Sequence, residues 1–258
     1  MEVLYQVNDY VAEITLNRPE KRNAFNEKLA LQLNQCLMQA NQDETVRVIL
    51  LSGAGKSFCA GGDIEEFAQM SELSTVEIEA KGKVQRDLFE TAFQMGKPMV
   101  GAVHGHALGG GFGLAAACHI VLAAPETKFG ATEIHLGLFP FVITPHLIHM
   151  LGFRQALELS LTGRLFTTDE AAKIGLVHQQ VPLETVLQTA KQQAKSIAEK
   201  SPTAIQIGMQ AFAAARTEVN KSTYDVMNGL RTVVLKSEDL QEGTRAFLEK
   251  RPPVWRGK

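Results

Sequence analysis

Met99-Val100-Gly101-Ala102-Val103 leads through His104 into Gly105-His106-Ala107-Leu108-Gly109-Gly110-Gly111-Phe112-Gly113 and on into Leu114-Ala115-Ala116-Ala117. A short apolar run, a glycine cluster and an alanine-rich stretch read as a buried strand that empties into the start of a helix. Glycines at that junction let the backbone approach a ligand closely and adopt φ/ψ values closed to other residues. The first N–H groups of a helix lack intrahelical partners, and the helix dipole favours negative charge there, so the stretch is suited to holding an oxyanion.

Two nucleotide-binding glycine motifs come near this sequence, and both fail on spacing. G-x-G-x-x-G fails because Gly109 and Gly111 are followed by Leu114, and Gly111 and Gly113 by Ala116, where the third glycine belongs. A P-loop is mimicked by Gly53-Ala54-Gly55-Lys56-Ser57, but the glycine required five residues before Gly55 is Leu50.

Outward from the glycine run, strand patterns at Val11–Leu16, Val46–Leu51, Met99–Val103 and Ile120–Ala123 alternate with helical patterns at Glu27–Asn41, Val76–Met95 and Leu108–Ala117. That order predicts an α/β fold with parallel crossovers. Beyond about Gly152 helical patterns dominate: Phe153–Leu161, Thr168–Lys173, Leu183–Lys200, Pro202–Ala215, Ser222–Leu235 and Asp239–Lys250. Thr168-Asp169-Glu170 supplies cap-type residues, Gly175 suits a left-handed helix end, and Pro182 opens the next connection.

The 258 residues are 45% hydrophobic with a net charge of −2, enough for one or two compact domains with a sizeable core. Basic and acidic residues are scattered without blocks, so neither a nucleic-acid nor a membrane partner is expected. Cys36, Cys59 and Cys118 are odd in number and lack paired spacing, which suits a reducing compartment. The N-terminal residues carry no basic segment followed by a long apolar core, and the expected location is cytoplasmic.

Several blocks, in order, resemble the enoyl-CoA hydratase/isomerase (crotonase) superfamily: Asn17-Arg18-Pro19-Glu20-Lys21-Arg22-Asn23-Ala24, Ser57-Phe58-Cys59-Ala60-Gly61-Gly62-Asp63-Ile64, the glycine run, and Phe129-Gly130-Ala131-Thr132-Glu133-Ile134. Leu161-Thr162-Gly163, Glu170-Ala171-Ala172, Gly175-Leu176-Val177 and the segment from Glu242 to Pro252 extend the similarity over nearly the whole chain. The resemblance implies a crotonase-like spiral core of repeated ββα units, over residues 1–195 with the acyl-CoA site. A C-terminal helical region, 196–258, would build a homotrimer or homohexamer.

It also implies an acyl-CoA thioester substrate, with coenzyme A part of that substrate and no further cofactor or metal. By position, the backbone N–H groups of Gly62 and Gly110 match the pair that holds the thioester oxygen, in agreement with the reading of the glycine run. Two preorganised donors on a developing enolate oxygen contribute about 10²–10³ in rate each. Ala60, Asp63 and Ile64 match a segment beside the adenine end of CoA, and Arg22 lies in a block that approaches its phosphates. Arginine suits phosphate, and Asp63 equally suits a helix N-cap. Ala24, Gly61, Gly109, Thr132 and Leu138 fall in the same substrate-binding blocks.

Hydratases of this family place one glutamate two residues after the triple glycine and a second in the F-G-x-x-E block. Here the first position is Gly113 and the second is Glu133. One carboxylate can move a proton along a β,γ-unsaturated acyl chain, whereas adding water also needs a water held against Cβ. Isomerisation is favoured on this ground, with hydration close behind. Decarboxylation, thioester hydrolysis and a non-catalytic acyl-CoA-binding protein are the alternatives. Phe141, in Phe139-Pro140-Phe141-Val142-Ile143, narrows the acyl pocket, excludes water or fills core. His104/His106 and His146/His149 lack a third ligand at metal-site spacing. His119 reads as structural or subunit-facing. His135 shares a face with Glu133 only if the segment is a strand.

Overall fold

The structure, a computed structural model, describes residues 1–69, 72–215, 233 and 237–258. Among them, in chain order, lie β1 (Val3–Asn8), β2 (Val11–Leu16), α1 (Glu27–Gln42), β3 (Val48–Gly53), α2 (Ile64–Gln69), α3 (Thr75–Phe93), β4 (Met99–Val103), β5 (His106–Leu108) and α4 (Gly110–Ala117). There follow β6 (Ile120–Ala123), β7 (Lys128–Gly130), α5 (Thr144–Leu151), α6 (Phe153–Thr162), β8 (Phe166–Thr167), α7 (Thr168–Lys173), β9 (Gln179–Gln180), α8 (Val186–Ala198), α9 (Pro202–Ala215) and α10 (Glu238–Glu249). The helix expected over Ser222–Leu235 lies outside the described residues apart from Val233.

The described strands make two sheets, ordered β1-β2-β3-β4-β6-β9 and β5-β7-β8. In the larger sheet β1 and β2 are antiparallel and every later pairing is parallel. Successive turns of chain place one strand in the large sheet and a shorter one in the small sheet. β4 is followed by β5 and then α4, and β6 by β7 and then a 3-10 turn at Thr132–Leu136. This is the ββα spiral of the crotonase fold.

β3 and β4 are buried on both faces because the sheet is covered on both sides, as parallel sheets are. Ile49 and Leu51 join the main core with Met99 and Val103, while Val48, Leu50, Val100 and Ala102 face a second cluster with Ala190, Ala194 and Ala198 of α8. Helix α8 therefore packs on the sheet across residues 195 and 196, where the core was expected to give way to the terminal helices.

Three strands start and end as the patterns predict, but β3 begins two residues late. Val46 is instead held in a turn that closes α1, its N–H donating to Asp43 O at 3.0 Å. The helix expected from Leu108 begins at Gly110, because Leu108 belongs to β5 and Gly109 turns the chain at φ +49°. Thr168 is no side-chain cap: its hydroxyl, buried, donates to Ala124 O at 2.7 Å. Gly175 does adopt a left-handed φ of +82°. No described helix is long and apolar enough to cross a membrane.

The decisive contact of the fold is backbone on backbone. A Cβ on Gly111 would lie 2.3 Å from Cys59 O and 2.8 Å from Cys59 Cβ. Gly111→Ala should therefore destabilise the protein by about 1–3 kcal/mol, lowering Tm by roughly 2–12 °C. Gly82→Ala, in α3 with nothing within 4 Å of the added carbon, should instead raise stability by about 0.5–1 kcal/mol. Differential scanning calorimetry of the two variants checks both signs.

Candidate active site

The register of the small sheet brings the site together. Cys59 bridges Ala107 in parallel, and Ala107 pairs with Phe129, so one row crosses three turns of the spiral. Three residues beyond that row stand Gly62, Gly110 and Thr132, with Glu133 next. The glycines read from sequence thus occupy equivalent positions on adjacent turns, at the carboxyl ends of parallel strands where open α/β folds bind ligands.

Both glycine N–H groups are left over by the local hydrogen bonding. Phe25 N–H donates to Gly61 O and Asp63 N–H donates to Phe25 O, each at 2.7 Å, so the bridge uses the neighbours of Gly62 and leaves its own N–H outside. Gly110 is the first residue of α4, where an N–H has no helical acceptor. Neither N–H forms a hydrogen bond among the described residues. A Cβ on Gly61 would lie 3.3 Å from Leu108 O and 4.0 Å from Gly109 Cα, so the two glycine segments lie side by side.

Glu133 lies against Gly109: a Cβ on that glycine would be 2.9 Å from Glu133 Oε1 and 3.2 Å from Cδ. Its Oε2 is buried with no hydrogen-bond partner among the described residues. Burial pushes the Glu133 carboxyl above the ordinary glutamate value, because a dry site disfavours the anion. The segment is a 3-10 turn, so the strand argument for His135 does not apply, and His135 Nε2 sits 3.0 Å from Gly163 O.

The place of the missing acid is filled. A Cβ on Gly113 would lie 2.2 Å from Ile143 Cγ2, 2.7 Å from Ile143 Cβ and 3.0 Å from Phe89 Cε1. Phe141 is 69% exposed and leans on Phe139 with ring centroids 5.6 Å apart, so it does not fill core, whereas Ile143 is buried.

The Arg18–Asn23 turn supports the segment beside Gly62. Arg18 donates to Ala24 O at 2.6 Å and to Asp63 Oδ2 at 2.9 Å, and Asp63 Oδ1 accepts from Glu65 N at 3.1 Å, which makes Asp63 the cap of α2. Burial opposes ionisation of Asp63, but the Arg18 guanidinium and the Glu65 N–H outweigh it and hold its carboxyl below the usual value. Fully buried Asn23 ties the turn down, accepting from Arg18 N at 2.8 Å and donating to Ala54 O at 2.9 Å and Ser57 O at 2.8 Å. The sequence reading passed over Asn23 and Arg18, although both stand in the quoted Asn17–Ala24 block.

Arg22, in a left-handed conformation at φ +50°, is exposed, and its guanidinium makes no hydrogen bond among the described residues. Ile64 and Leu138 are exposed, while Ala24 is buried. His104 and His106 have different partners: Nε2 of His104 meets Gly55 O at 2.9 Å, and Nδ1 of His106 meets Ser57 Oγ at 3.1 Å. His119 Nδ1 accepts from Met99 N at 3.0 Å, which joins β4 to the start of β6.

The profile of the enoyl-CoA hydratase/isomerase family matches residues 6–258. The chain is 33% identical to 2,3-dehydroadipyl-CoA hydratase of Escherichia coli over 100% of this chain and 99% of that protein. It is 34% identical to 1,2-epoxyphenylacetyl-CoA isomerase of the same organism, over 99% and 98%. A solved enoyl-CoA hydratase of Bacillus anthracis superposes with a TM-score of 0.93 at 31% identity, covering both chains completely. The chain belongs to the enoyl-CoA hydratase/isomerase family. It is an acyl-CoA enzyme, a lyase or an isomerase.

The raised carboxyl of Glu133 has a stability consequence with a definite sign. A buried acid binds its proton more tightly when folded, so the stability it contributes is complete below the unfolded pKa and is lost as pH rises through the folded one. Glu133→Gln should therefore gain Tm over the native protein as pH rises out of the ordinary carboxylate range, and the gain should vanish in acid. Thermal melts from about pH 4 to 8 check this; a pH-independent difference contradicts it.

Proposed function

We propose that this enzyme moves the double bond of an enoyl-CoA, converting a 3-enoyl thioester to the 2-enoyl isomer. The observation that carries the reading is the packing at Gly113, where Ile143 and Phe89 take the space of a second carboxylate and leave Glu133 as the candidate acid/base. The thioester oxygen sits between the N–H groups of Gly62 and Gly110. Glu133, ionised, removes a proton from Cα; the charge passes into the dienolate and is held at the oxygen; the same carboxyl returns the proton to Cγ. A base kept out of water, with its pKa raised toward neutrality, is better matched to a weakly acidic C–H.

In this reading Arg22 offers its unengaged guanidinium to the CoA phosphates. Ala60, Asp63 and Ile64 flank the adenine end, with Asp63 acting mainly through its pairing with Arg18 and its cap on α2. Ala24, Gly61, Gly109, Thr132 and Leu138 complete the substrate-binding surface.

Hydration of a 2-enoyl-CoA is the second reading, favoured by the hydratase names of relatives such as 2,3-dehydroadipyl-CoA hydratase. It requires the main chain or another side chain to hold the water. Glu133→Gln should lower turnover about 10²–10⁴-fold with acyl-CoA binding nearly unchanged, because the amide keeps the shape and loses the base. Isomerisation of a 3-enoyl-CoA and hydration of a 2-enoyl-CoA are measured on the same preparation. Native turnover by Glu133→Gln on every substrate would remove Glu133 from the mechanism.

The C-terminal helices further support assembly as a homotrimer or homohexamer. No residue of helix α9 is fully buried, and Phe212 and Leu248 are each 80% exposed. Such surfaces are normally covered by a partner. Sedimentation at micromolar concentration should give three or six copies; a monomer alone would contradict this.

A further inference from the structure

A peptide unit is planar and trans, so the Gly62 N–H points away from the Gly61 carbonyl that shares its plane. Whatever holds Gly61 O therefore aims the Gly62 donor. Gly61 stands at φ +100°, and a peptide flanked by two glycines meets no Cβ that would resist its turning over. The restraint comes from the neighbouring stretch of chain: Phe25 N–H donates to Gly61 O at 2.7 Å, and Phe25 O accepts from Asp63 N–H at 2.7 Å. One step back, Ala60 N–H donates to Arg22 O at 3.0 Å, which keeps the two stretches side by side.

Arg18 joins both stretches around that bridge. Its Nη1 donates to the carbonyl of Ala24, just before Phe25, at 2.6 Å, and its Nη2 donates to Oδ2 of Asp63, just after Gly62, at 2.9 Å. The main chain of Arg18 is itself pinned: its N–H donates to Asn23 Oδ1 at 2.8 Å and its carbonyl accepts from Asn23 N–H at 2.9 Å. Asn23 is fully buried and is tied in turn to Ala54 O and Ser57 O. A pinned backbone below a planar fork of donors makes the guanidinium a rigid link between its two acceptors. We infer that Arg18 is the positioning residue of the oxyanion site: by binding Ala24 O and Asp63 Oδ2 together it holds Phe25 against Gly61, and so keeps the Gly62 N–H aimed at the substrate oxygen. The inference rests on the assignment of the Gly62 N–H to the thioester oxygen. In this role Arg18 acts through the main chain and not on the substrate.

The test uses the full-length enzyme and butanoyl-CoA labelled with carbon-13 at the thioester carbonyl, which has no double bond to move or hydrate. Donors aimed at the carbonyl oxygen draw electrons onto it, weaken the C=O bond and lower its stretching frequency, read by infrared difference spectroscopy. Arg18→Met and Arg18→Lys should each lower kcat, on the thioester the native enzyme converts fastest, by about tenfold or more, toward the 10²–10³-fold of a lost oxyanion donor. KM should change by less than about threefold, and the carbonyl stretch should return most of the way to its unbound frequency. Lysine keeps the charge beside Asp63 but cannot bind both acceptors in one plane, so charge alone should not rescue the aim. Arg47→Met, which removes an arginine bonded to Ala198 O at 3.0 Å on the α8 side of the sheet, should lower Tm while leaving kcat and the carbonyl stretch native. A folded Arg18→Met with native kcat and a native carbonyl shift overturns the proposal, and so does a loss of kcat with the carbonyl shift intact, which marks a purely structural role. If Arg18→Met does not fold, Arg18→Lys decides by the same two readings. A native enzyme that leaves the carbonyl unshifted removes the oxyanion assignment and the role of Arg18 with it, whereas a native shift that survives in both variants removes Arg18 alone.

Discussion

Everything at the functional end of this molecule depends on two stretches of main chain lying against each other with no side chain between them. Residues 59–62 run along residues 107–111, close enough that a single carbon on Gly111 would meet the Cys59 carbonyl at 2.3 Å. The parallel bridge from Cys59 to Ala107 sets the register of that approach. Because the spiral repeats, register in one turn becomes position in the next. Gly62, Gly110 and Glu133 reach the same end of the small sheet although they are scattered over 72 residues of chain.

Polar accounting at that end differs from the rest of the fold. Buried backbone groups are almost always paired, and here Gly61 O and Asp63 N–H pair with Phe25 while the Gly62 N–H between them has no partner among the described residues. The Glu133 carboxyl group is likewise packed on Gly109, and its Oε2 has no hydrogen-bond partner among the described residues. Donors and an acceptor without partners are costly to the folded state and useful to a ligand that supplies the missing half. That cost is offset by the aliphatic and aromatic core behind them and by the Arg18–Asp63–Asn23 network, whose Asn23 and Asp63 are buried and whose Arg18 is half-buried.

Much of this was legible in the sequence. Short runs buried on both faces, such as Met99–Val103, announce themselves by continuous apolarity, and β2, β4 and β6 fall where the pattern puts them. The small sheet was not legible, because two- and three-residue strands leave no periodicity and exist only through distant pairing. Strand β1 escaped for a different reason. Its hairpin turn is Asp9-Tyr10, both at positive φ, with none of the glycine that normally marks such a turn. At the site, the absence of an acid at residue 113 could be read directly. That Ile143 rather than Phe141 fills the space could not, since two apolar residues in one loop differ only in which way the folded chain turns them.

The donors assigned to the substrate oxygen belong to the main chain, and that separates two properties usually inherited together. A base or a pocket wall is encoded by a codon and can be exchanged for another in one step. An N–H of the backbone is present whatever residue is installed, proline excepted, and it stays aimed as long as the strands keep their register. On that assignment, holding a substrate oxygen would belong to the fold, while moving protons would belong to individual side chains such as that of residue 133. A scaffold of this kind would let a change at residue 113 or 133 alter the reaction without first disturbing the backbone donors.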